Sequence, residues 1–152
     1  MSWFVCAIGS SNPGNWNLCK KVGAYGVSLG IGRPSIREKD RILIWLGGRG
    51  YVAEAVATGP PTKPHTKEEV PWPGGLYRFA YVVPINVVAE VREPIYFPFV
   101  DRVQPETGVK TAHLQRSIAL IPDSGAMKIS AAIRKRVIEE EQAQDVQNGL
   151  SH

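Results

Sequence analysis

The sequence predicts an α+β fold in which a small, strongly curved sheet or open β-barrel of about five or six strands carries flanking helices. Short apolar, β-prone runs separated by Gly- and Pro-rich turns recur through residues 2–121, as is typical of a small sheet. Helical features are confined to a short stretch after the first such run and to the C-terminal region. A length of 152 residues favours a single domain.

The strongest local feature is a β-hairpin. Two apolar runs, residues 40–46 and 51–58, flank the Gly-rich loop Gly47-Gly48-Arg49-Gly50. The first run is apolar on both faces, which predicts a strand buried on both sides. Alanines alternate through the second run, so one of its faces leaves room for bulky groups. Arg49 places a cation at the tip.

The N-terminal third predicts a strand, a helix and a strand. Residues 2–8 are β-prone, and residues 24–28 form a second short extended run. Between them, Asn12 is a suitable N-cap and Pro13 a suitable first helical residue, which predicts a helix over 13–22. A Gly- and Arg-containing loop then leads to the hairpin.

The C-terminal half predicts four short strands and a final helix. Residues 76–83 and 86–91 are β-prone runs joined at Pro84, and residues 109–112 and 117–121 are shorter candidates. Pro122-Asp123-Ser124 is typical of a helix start, with Asp123 as its cap. The helix that follows has one apolar stripe, typical of a packing face, formed by Ile129, Ala132, Ile133 and Val137. We expect a domain over 1–141 and a frayed tail over 142–152.

Composition restricts the class of protein. With 43% hydrophobic and 21% charged residues the chain is typical of a globular protein. It has no apolar run of membrane-spanning length and no signal peptide, so we expect a cytoplasmic protein that does not bind membranes. Cys6 and Cys19 show no metal-ligand spacing and are expected to be reduced, buried thiols. No metal and no cofactor is predicted.

Charge is unevenly distributed along the chain. Of 18 bases and 14 acids, four acids and no bases lie in residues 137–152, which leaves a net charge of +8 on residues 1–136. Seven of the bases lie between Lys20 and Arg49. A basic domain with a separate acidic end favours a polyanionic partner, although a solvated basic surface explains the charge equally well.

Motifs for catalysis are weak. The chain has no P-loop, GxSxG or HExxH motif, and the histidines at 65, 113 and 152 are dispersed in a way typical of solvated loop residues. The Gly-rich loop joins two strands and opens no helix, unlike a dinucleotide-binding loop. Glu54, within a strand, is either a buried carboxylate or a solvent-facing one.

Aromatic residues beside basic ones give a stronger indication. Tyr25, Trp45 and Trp72 lie at or near predicted strand ends and rigid turns, where their rings can stack on an extruded base. Each stacking contact is worth roughly 1–3 kcal/mol. Pro71 and Pro73 restrict the backbone around Trp72, which favours a preorganised wall. For Trp45, a core position is the equal alternative.

The order of these segments resembles the EVE domain and the related YTH domain of the PUA-like superfamily. The resemblance spans residues 2–137 and rests on five segments: residues 3–8, 20–28, 40–57 and 71–79, and Arg116 with the run to Ile121. It implies a PUA-like fold and a non-catalytic reader that holds a modified base, of the methylated cytosine or adenine type, in an aromatic cage. Tyr25 stands where the family commonly has Trp.

The resemblance also assigns the residues of the site. Tyr25 and Trp72 match the cage aromatics, with Trp45 as a further candidate, and Ser28 matches the pocket wall. Ser10, Ser11 and Asn12 match positions that contact the base edge. Together, sequence and resemblance assign phosphate contacts to Lys20, Lys21, Arg33, Arg37, Arg49 and Arg116. EVE-like members in bacteria are associated with restriction-type systems, so the implied partners are nucleic acid with a modified base and a nuclease or restriction-type protein.

Two other functions remain open. One is a PUA-like hydrolase of the ASCH type acting on a modified nucleoside, for which Lys21 and Glu54 are the candidate residues. The other is a non-catalytic subunit of a restriction or RNA-processing assembly, bound through the last helix.

Overall fold

A computed structural model of the chain describes residues 1–150. It contains six strands and three helices, which confirms the predicted α+β class with a curved sheet. The strands are β1 (Trp3–Ile8), β2 (Ala24–Ser28), β3 (Arg41–Leu46), β4 (Gly50–Ala57), β5 (Phe79–Ile95) and β6 (Ile118–Leu120). The helices are α1 (Asn15–Val22), α2 (Thr111–Leu114) and α3 (Asp123–Leu150), and short 3-10 turns lie at Lys67–Glu69 and Gly75–Tyr77.

The six strands form one mixed sheet in the order β2-β5-β4-β3-β1-β6. Only β1 and β3 pair in parallel, with Phe4 opposite Ile42. All other neighbouring strands within this sheet are antiparallel. The sheet curls until its two edges approach each other, since the backbone N–H of Ser28 at the end of β2 donates to the Ser117 hydroxyl beside β6. The result is a half-barrel that no backbone ladder closes.

Strand β3 separates two apolar clusters, which confirms the strand predicted to be buried on both faces. Ile42 and Ile44 point into the first cluster, inside the curl, where Trp16 of α1 packs. Leu43 points into the second cluster, between the sheet and α3. The alternating alanines of β4 lie in the first cluster, which also contains the bulky side chains of Trp16 and Trp72.

Strand β5 is one element where the sequence predicted two runs joined at Pro84. Pro84 lies where the strand changes partners, because it pairs with Ala24 of β2 while the next residue, Ile85, pairs with Ala57 of β4. Proline lacks an N–H and cannot donate a hydrogen bond to a neighbouring strand. It is therefore tolerated better where the strand changes partners than in the middle of a continuous strand pair. The Pro84 carbonyl still accepts a hydrogen bond from Thr58.

Two further local predictions are wrong. Helix α1 begins at Asn15 after Gly14, and no side chain caps it, so Asn12 is not its N-cap. The Asn12 carbonyl instead accepts the Asn15 N–H in a preceding turn. The run at 109–112, predicted as a strand, leads into the short helix α2.

Helix α3 continues to Leu150, beyond residue 142 where fraying was predicted. Its C-terminal half is held on β5, because the Glu140 carboxylate accepts the backbone N–H groups of Arg92 and Glu93. The Arg92 guanidinium also donates to the Gln144 side chain. Residues 151–152, including His152, lie outside the described residues. Within residues 1–150, no helix has the length and apolar character needed to cross a membrane.

Candidate functional site

A pocket of about 350 Å³ opens at one end of the curled sheet. Its wall is formed by the turn after β1, the start of α1, strand β2, the segment from Trp72 to Phe79 and the segment before β6. The volume is within the range of small-ligand pockets. Four of its lining residues are aromatic: Tyr25, Trp45, Trp72 and Phe79.

Glycine at position 26 lets two of these aromatic rings approach strand β2. A Cβ atom on Gly26 would lie 2.8 Å from the Trp72 ring and 2.9 Å from the Phe79 ring, so any other residue would push them away. The two rings pack together with centroids 5.2 Å apart and planes inclined at 56°. Glycine is required here because of close packing, since its backbone conformation is open to other residues.

Gly47 of the hairpin loop brings Ser10 to the pocket. A Cβ atom on Gly47 would lie 2.8 Å from the Ser10 nitrogen and 3.1 Å from the Ile8 carbonyl oxygen. The Gly47 N–H donates to the same Ile8 oxygen at 2.8 Å. The Gly-rich tip of the hairpin therefore supports the turn after β1, and Ser10 lines the pocket.

Tyr25 is fixed at both ends of its side chain. Its ring is buried in the first cluster, and its hydroxyl is shared between the carbonyl oxygens of Ala7, at 2.6 Å, and Ser117, at 2.5 Å. Burial raises the pKa of Tyr25 well above its ordinary value, so the hydroxyl remains a donor. The Ser117 hydroxyl in turn accepts the N–H of Ser28 and donates to the Gly26 carbonyl.

Trp72 carries an unpaired donor. The residue is only 3% exposed, and within residues 1–150 its buried indole N–H makes no well-formed hydrogen bond. Buried polar groups without partners are uncommon, and one in a pocket wall indicates a place where a ligand atom can accept. Burial raises the pKa of the neighbouring Cys19 thiol to about 12. A weak interaction with the Trp72 indole lowers that pKa, but its effect is smaller than the effect of burial.

Two arginines line the pocket without acidic partners. Arg78 holds its guanidinium carbon 5.5 Å from the centroid of the Phe79 ring. Arg116 lines both this pocket and an adjacent cavity of about 410 Å³ that Arg33 and His113 also line. Among the described residues neither Arg78 nor Arg116 forms an ion pair, whereas Lys20 is paired with Glu90 at 2.8 Å. Both arginines are therefore available to an anionic ligand.

The structure brings together part of the predicted site. Six of the predicted residues line the pocket: Ser10, Tyr25, Ser28, Trp45, Trp72 and Arg116. The others are not among its lining residues: Ser11, Asn12, Lys20, Lys21, Arg33, Arg37 and Arg49. The Trp45 ring packs on Tyr51 and Phe99 in the second cluster, so this residue contributes to the wall while its indole belongs to the core.

Among the lining residues that were not identified from the sequence are Asn15, Arg78, Phe79, Gln115 and Ser117. The Arg78-Phe79 pair repeats the predicted combination of a cation beside an aromatic ring, directly after the Trp72 loop. Asn15 and Gln115 each bring a side-chain amide, which can donate and accept hydrogen bonds at once. For these two residues no sequence pattern indicated a site.

Glu54 is buried, and it lies away from the pocket. It is 0% exposed and faces α3, where it binds the guanidinium groups of Arg41 at 2.5 Å and Arg134 at 2.8 Å. It also accepts a hydrogen bond from Ser130. The carboxylate thus links β4, β3 and α3. In the described chain, no three His, Cys, Asp or Glu side chains form a group suited to a metal ion.

Comparison with known proteins relates the chain to others through its fold alone. No protein-family model matches it, and no curated protein matches it in sequence. Several solved structures do match in three dimensions. The Toxoplasma CPSF4-YTH domain in apo form aligns with a TM-score of 0.63 and 15% identity, covering 89% of this chain and 88% of that one.

Two further structures align over a similar length. A hypothetical protein from Leishmania major gives a TM-score of 0.58 at 12% identity, covering 89% of this chain and 96% of its own. The YTH domain of Zygosaccharomyces rouxii MRB1, solved in complex with N6-methyladenosine RNA, gives 0.52 at 15% identity and covers 86% of each chain. The chain therefore has a YTH-like fold.

Proposed function

We propose that this chain is a nucleic-acid-binding module that reads a modified base, of the methylated cytosine or adenine type, held in the pocket beside Tyr25 and Trp72. The observation that carries the proposal is one pocket that combines aromatic walls, a buried Trp72 donor and two arginines, with no partner for this donor and no ion pair for these arginines among residues 1–150. The YTH-like fold supports it, because one structure of that fold is a complex with methylated RNA.

The aromatic part of the pocket suits the face of a base. Trp72 and Phe79 are held by packing on Gly26, and Tyr25 is held by its hydroxyl, so none of the three has to be ordered when a ligand enters. A preorganised site keeps more of its interaction energy as affinity. A methyl group alone adds only about 1–3 kcal/mol of discrimination in an apolar pocket.

The polar part of the pocket suits the edge of the base. The amides of Asn15 and Gln115 and the hydroxyl of Ser10 lie in the wall, and the Trp72 indole N–H lacks an acceptor. These groups offer both donors and acceptors to a Watson–Crick edge. In this proposal Asn15 takes the base-edge role that the resemblance implied for Ser11 and Asn12, while Ser10 keeps it.

Phosphate binding is assigned to the rim. Arg78 and Arg116 can contact the backbone on either side of an extruded nucleotide, and Arg33 extends the positive charge along the adjacent cavity. Backbone contacts position the chain without reading sequence, and their contribution falls as salt rises. The base reaches the pocket by leaving the stack, which costs least in single strands.

A reader is better supported than a hydrolase. The Cys19 thiol in the wall has a pKa of about 12, so it stays protonated and is a poor nucleophile near neutral pH. Glu54 is engaged with two arginines beside α3, and Lys21 does not line the pocket. An EVE-type role with a nuclease or restriction-type partner remains a prediction within this proposal.

The test is a fluorescence titration with single-stranded DNA and RNA oligonucleotides that carry 5-methylcytosine, 5-hydroxymethylcytosine, N6-methyladenine or the unmodified base. A reader binds one modified set several-fold more tightly than its unmodified counterpart. Asn15→Ala is expected to remove that preference while leaving general binding in place. Equal binding of all oligonucleotides, or no binding, would disprove the proposal.

Arginine variants locate the binding surface. Arg116→Gln is expected to weaken binding of every oligonucleotide and to flatten its dependence on salt concentration. Lys128→Gln removes an exposed positive charge on α3, behind the sheet, and serves as the matched control. Equal losses in the two variants would show that binding follows overall charge and does not depend on the pocket.

A further inference from the structure

Two neighbouring faces of helix α1 meet two different parts of the molecule. Asn15 and Cys19 are four residues apart, so they lie on one face of the helix, and both line the pocket. Trp16 and Lys20 are also four residues apart, and they lie on the neighbouring face, about 100° around the helix axis. The contacts of the second face therefore decide where the first face points.

Glu90 of β5 holds the second face through a single oxygen atom. Its Oε2 accepts the indole N–H of Trp16 at 2.8 Å and lies 2.8 Å from the Lys20 ammonium group. The Lys20 nitrogen is also 5.7 Å from the centroid of the Trp16 ring. Glu90 pairs across the strands with Ala53, which belongs to the first cluster, so its side chain lies on the inner face of the sheet.

Few groups in the described part of the chain fix the rotation of α1 about its axis. The helix is eight residues long, no side chain caps its start, and its buried residues are Trp16 and Cys19. Apolar packing of a ring is not directional, whereas a hydrogen bond from the indole N–H needs alignment. Trp16 is only 4% exposed, so without Glu90 its N–H reaches an acceptor only when the ring turns toward water.

We propose that Glu90 is a positioning residue for base recognition: it sets the rotation of α1 and thereby directs the Asn15 amide at the edge of the base. The inference rests on the proposed function, in which Asn15 contacts that edge. Glu90 itself is not among the described residues that line the pocket. An amide distinguishes bases only when its donor and its acceptor face matching atoms, within about 10–20° of the productive geometry.

A rotation of α1 therefore affects one part of the site and spares another. It moves the Asn15 amide away from the base edge, while Arg78 and Arg116 lie on other elements and keep their place at the rim. Loss of Glu90 should lower the preference for a modified base and leave the salt-dependent binding of the nucleic-acid backbone in place.

The test measures the ratio of affinities for modified and unmodified oligonucleotides in matched variants. Glu90→Ala is expected to lower this ratio several-fold, because the Trp16 N–H loses its acceptor. Glu90→Gln keeps an acceptor for that N–H and should rescue most of the ratio, although the ion pair with Lys20 is lost. Glu93→Ala removes another exposed acid from β5 and is the control for charge. Urea unfolding of each variant checks that it is folded.

A double-mutant cycle shows whether Glu90 acts through the indole N–H. Trp16→Phe keeps an aromatic ring in the first cluster but has no N–H, so by itself it is expected to lower the ratio as Glu90→Ala does. Adding Glu90→Ala to Trp16→Phe should then lower the ratio little further. Losses that add in full would show two independent effects and overturn the proposal, as would an unchanged ratio in Glu90→Ala.

The side-chain amide signals of Asn15 in nuclear magnetic resonance spectra of the free protein give a readout that needs no ligand. They are expected to shift in Glu90→Ala and to stay near the parent positions in Glu90→Gln and Glu93→Ala. Asn15→Ala identifies the signals. Shifted signals in a protein that prefers no modified base would support the link between Glu90 and Asn15 and contradict the proposed function. Unshifted signals in a protein that does prefer one would overturn this inference alone.

Discussion

The hydroxyl of Tyr25 reaches the carbonyl oxygen of Ser117 at 2.5 Å, across 92 positions of sequence. It also reaches Ala7 of β1 at 2.6 Å, so one side chain on β2 contacts both elements at the opposite edge of the sheet. The Ser117 hydroxyl completes the link through Gly26 and Ser28. In a closed barrel, backbone hydrogen bonds would join the two edge strands, β2 and β6. Here these side-chain contacts and the pocket that they border lie between the two edges.

Removing the Tyr25 hydroxyl tests this link. Tyr25→Phe keeps the ring but leaves two carbonyl groups without their donor, and an unsatisfied buried polar group costs about 1–3 kcal/mol. We expect a lower free energy of unfolding in urea by that amount. Tyr77→Phe is the control because Tyr77 is 94% exposed. If both variants unfold at the same urea concentration as the parent, the link does not stabilise the fold.

Adding a methyl group at Gly26 tests the packing of the pocket wall. In Gly26→Ala the new Cβ atom would meet the Trp72 and Phe79 rings at under 3 Å, so the rings must move. Overpacking of this kind costs about 1–3 kcal/mol. We expect lower stability and an altered tryptophan emission spectrum. Gly14→Ala, where nothing lies within 4 Å, should leave the spectrum as it is, and an unchanged Gly26→Ala spectrum would contradict the geometry.

Neutralising Glu54 tests the buried charges behind the sheet. Glu54→Gln leaves Arg41 and Arg134 facing a neutral group, and breaking a fully buried ion pair costs about 3–5 kcal/mol. Both arginines are partly exposed, with side chains 32% and 51% accessible, so we expect a loss toward the lower end. Chemical unfolding measures it, with the exposed Glu139→Gln as control. Ligand binding by the folded Glu54→Gln protein should be unchanged, and a selective loss of binding would place Glu54 in the function.

Alkaline pH tests the burial of Cys19. Burial raises its pKa from 9.0 to about 12 in the folded state, while the unfolded chain releases the proton near the ordinary value. Between those values the unfolded state binds fewer protons, so stability falls as pH rises, by up to about 1.4 kcal/mol per pH unit for this group. Below pH 9 this contribution is fully present.

The measurement is urea unfolding at several pH values from 7 to the alkaline range. Cys19→Ala is expected to show a shallower decline than the parent above pH 9, whatever its stability at pH 7. Burial also raises the pKa values of Tyr25 and Cys6. These two groups therefore contribute to the loss of stability with rising pH in both the parent and Cys19→Ala. An identical slope in the parent and Cys19→Ala would show that the thiol is accessible to solvent.

The sequence by itself determined the parts that depend on local periodicity. The apolar character of both faces of residues 40–46 predicted a strand buried on both sides, and the helical stripe at Ile129 and Ile133 predicted the packing face of α3. The Gly-rich loop predicted the hairpin. Each of these predictions depends only on residues that are close in sequence. Within such a stretch, the spacing of apolar residues indicates which face of a strand or helix is buried.

Only the tertiary structure decided which residues share the pocket. Arg78 and Ser117 are far apart in the chain from Tyr25, and they meet it because the sheet curls and β5 runs unbroken through Pro84. Glu54 was ambiguous in sequence, and its burial depends on Arg134, 80 residues away on α3. Such contacts are set by the twist and pairing order of the strands, and a long-range contact leaves no periodic trace in the residues that make it.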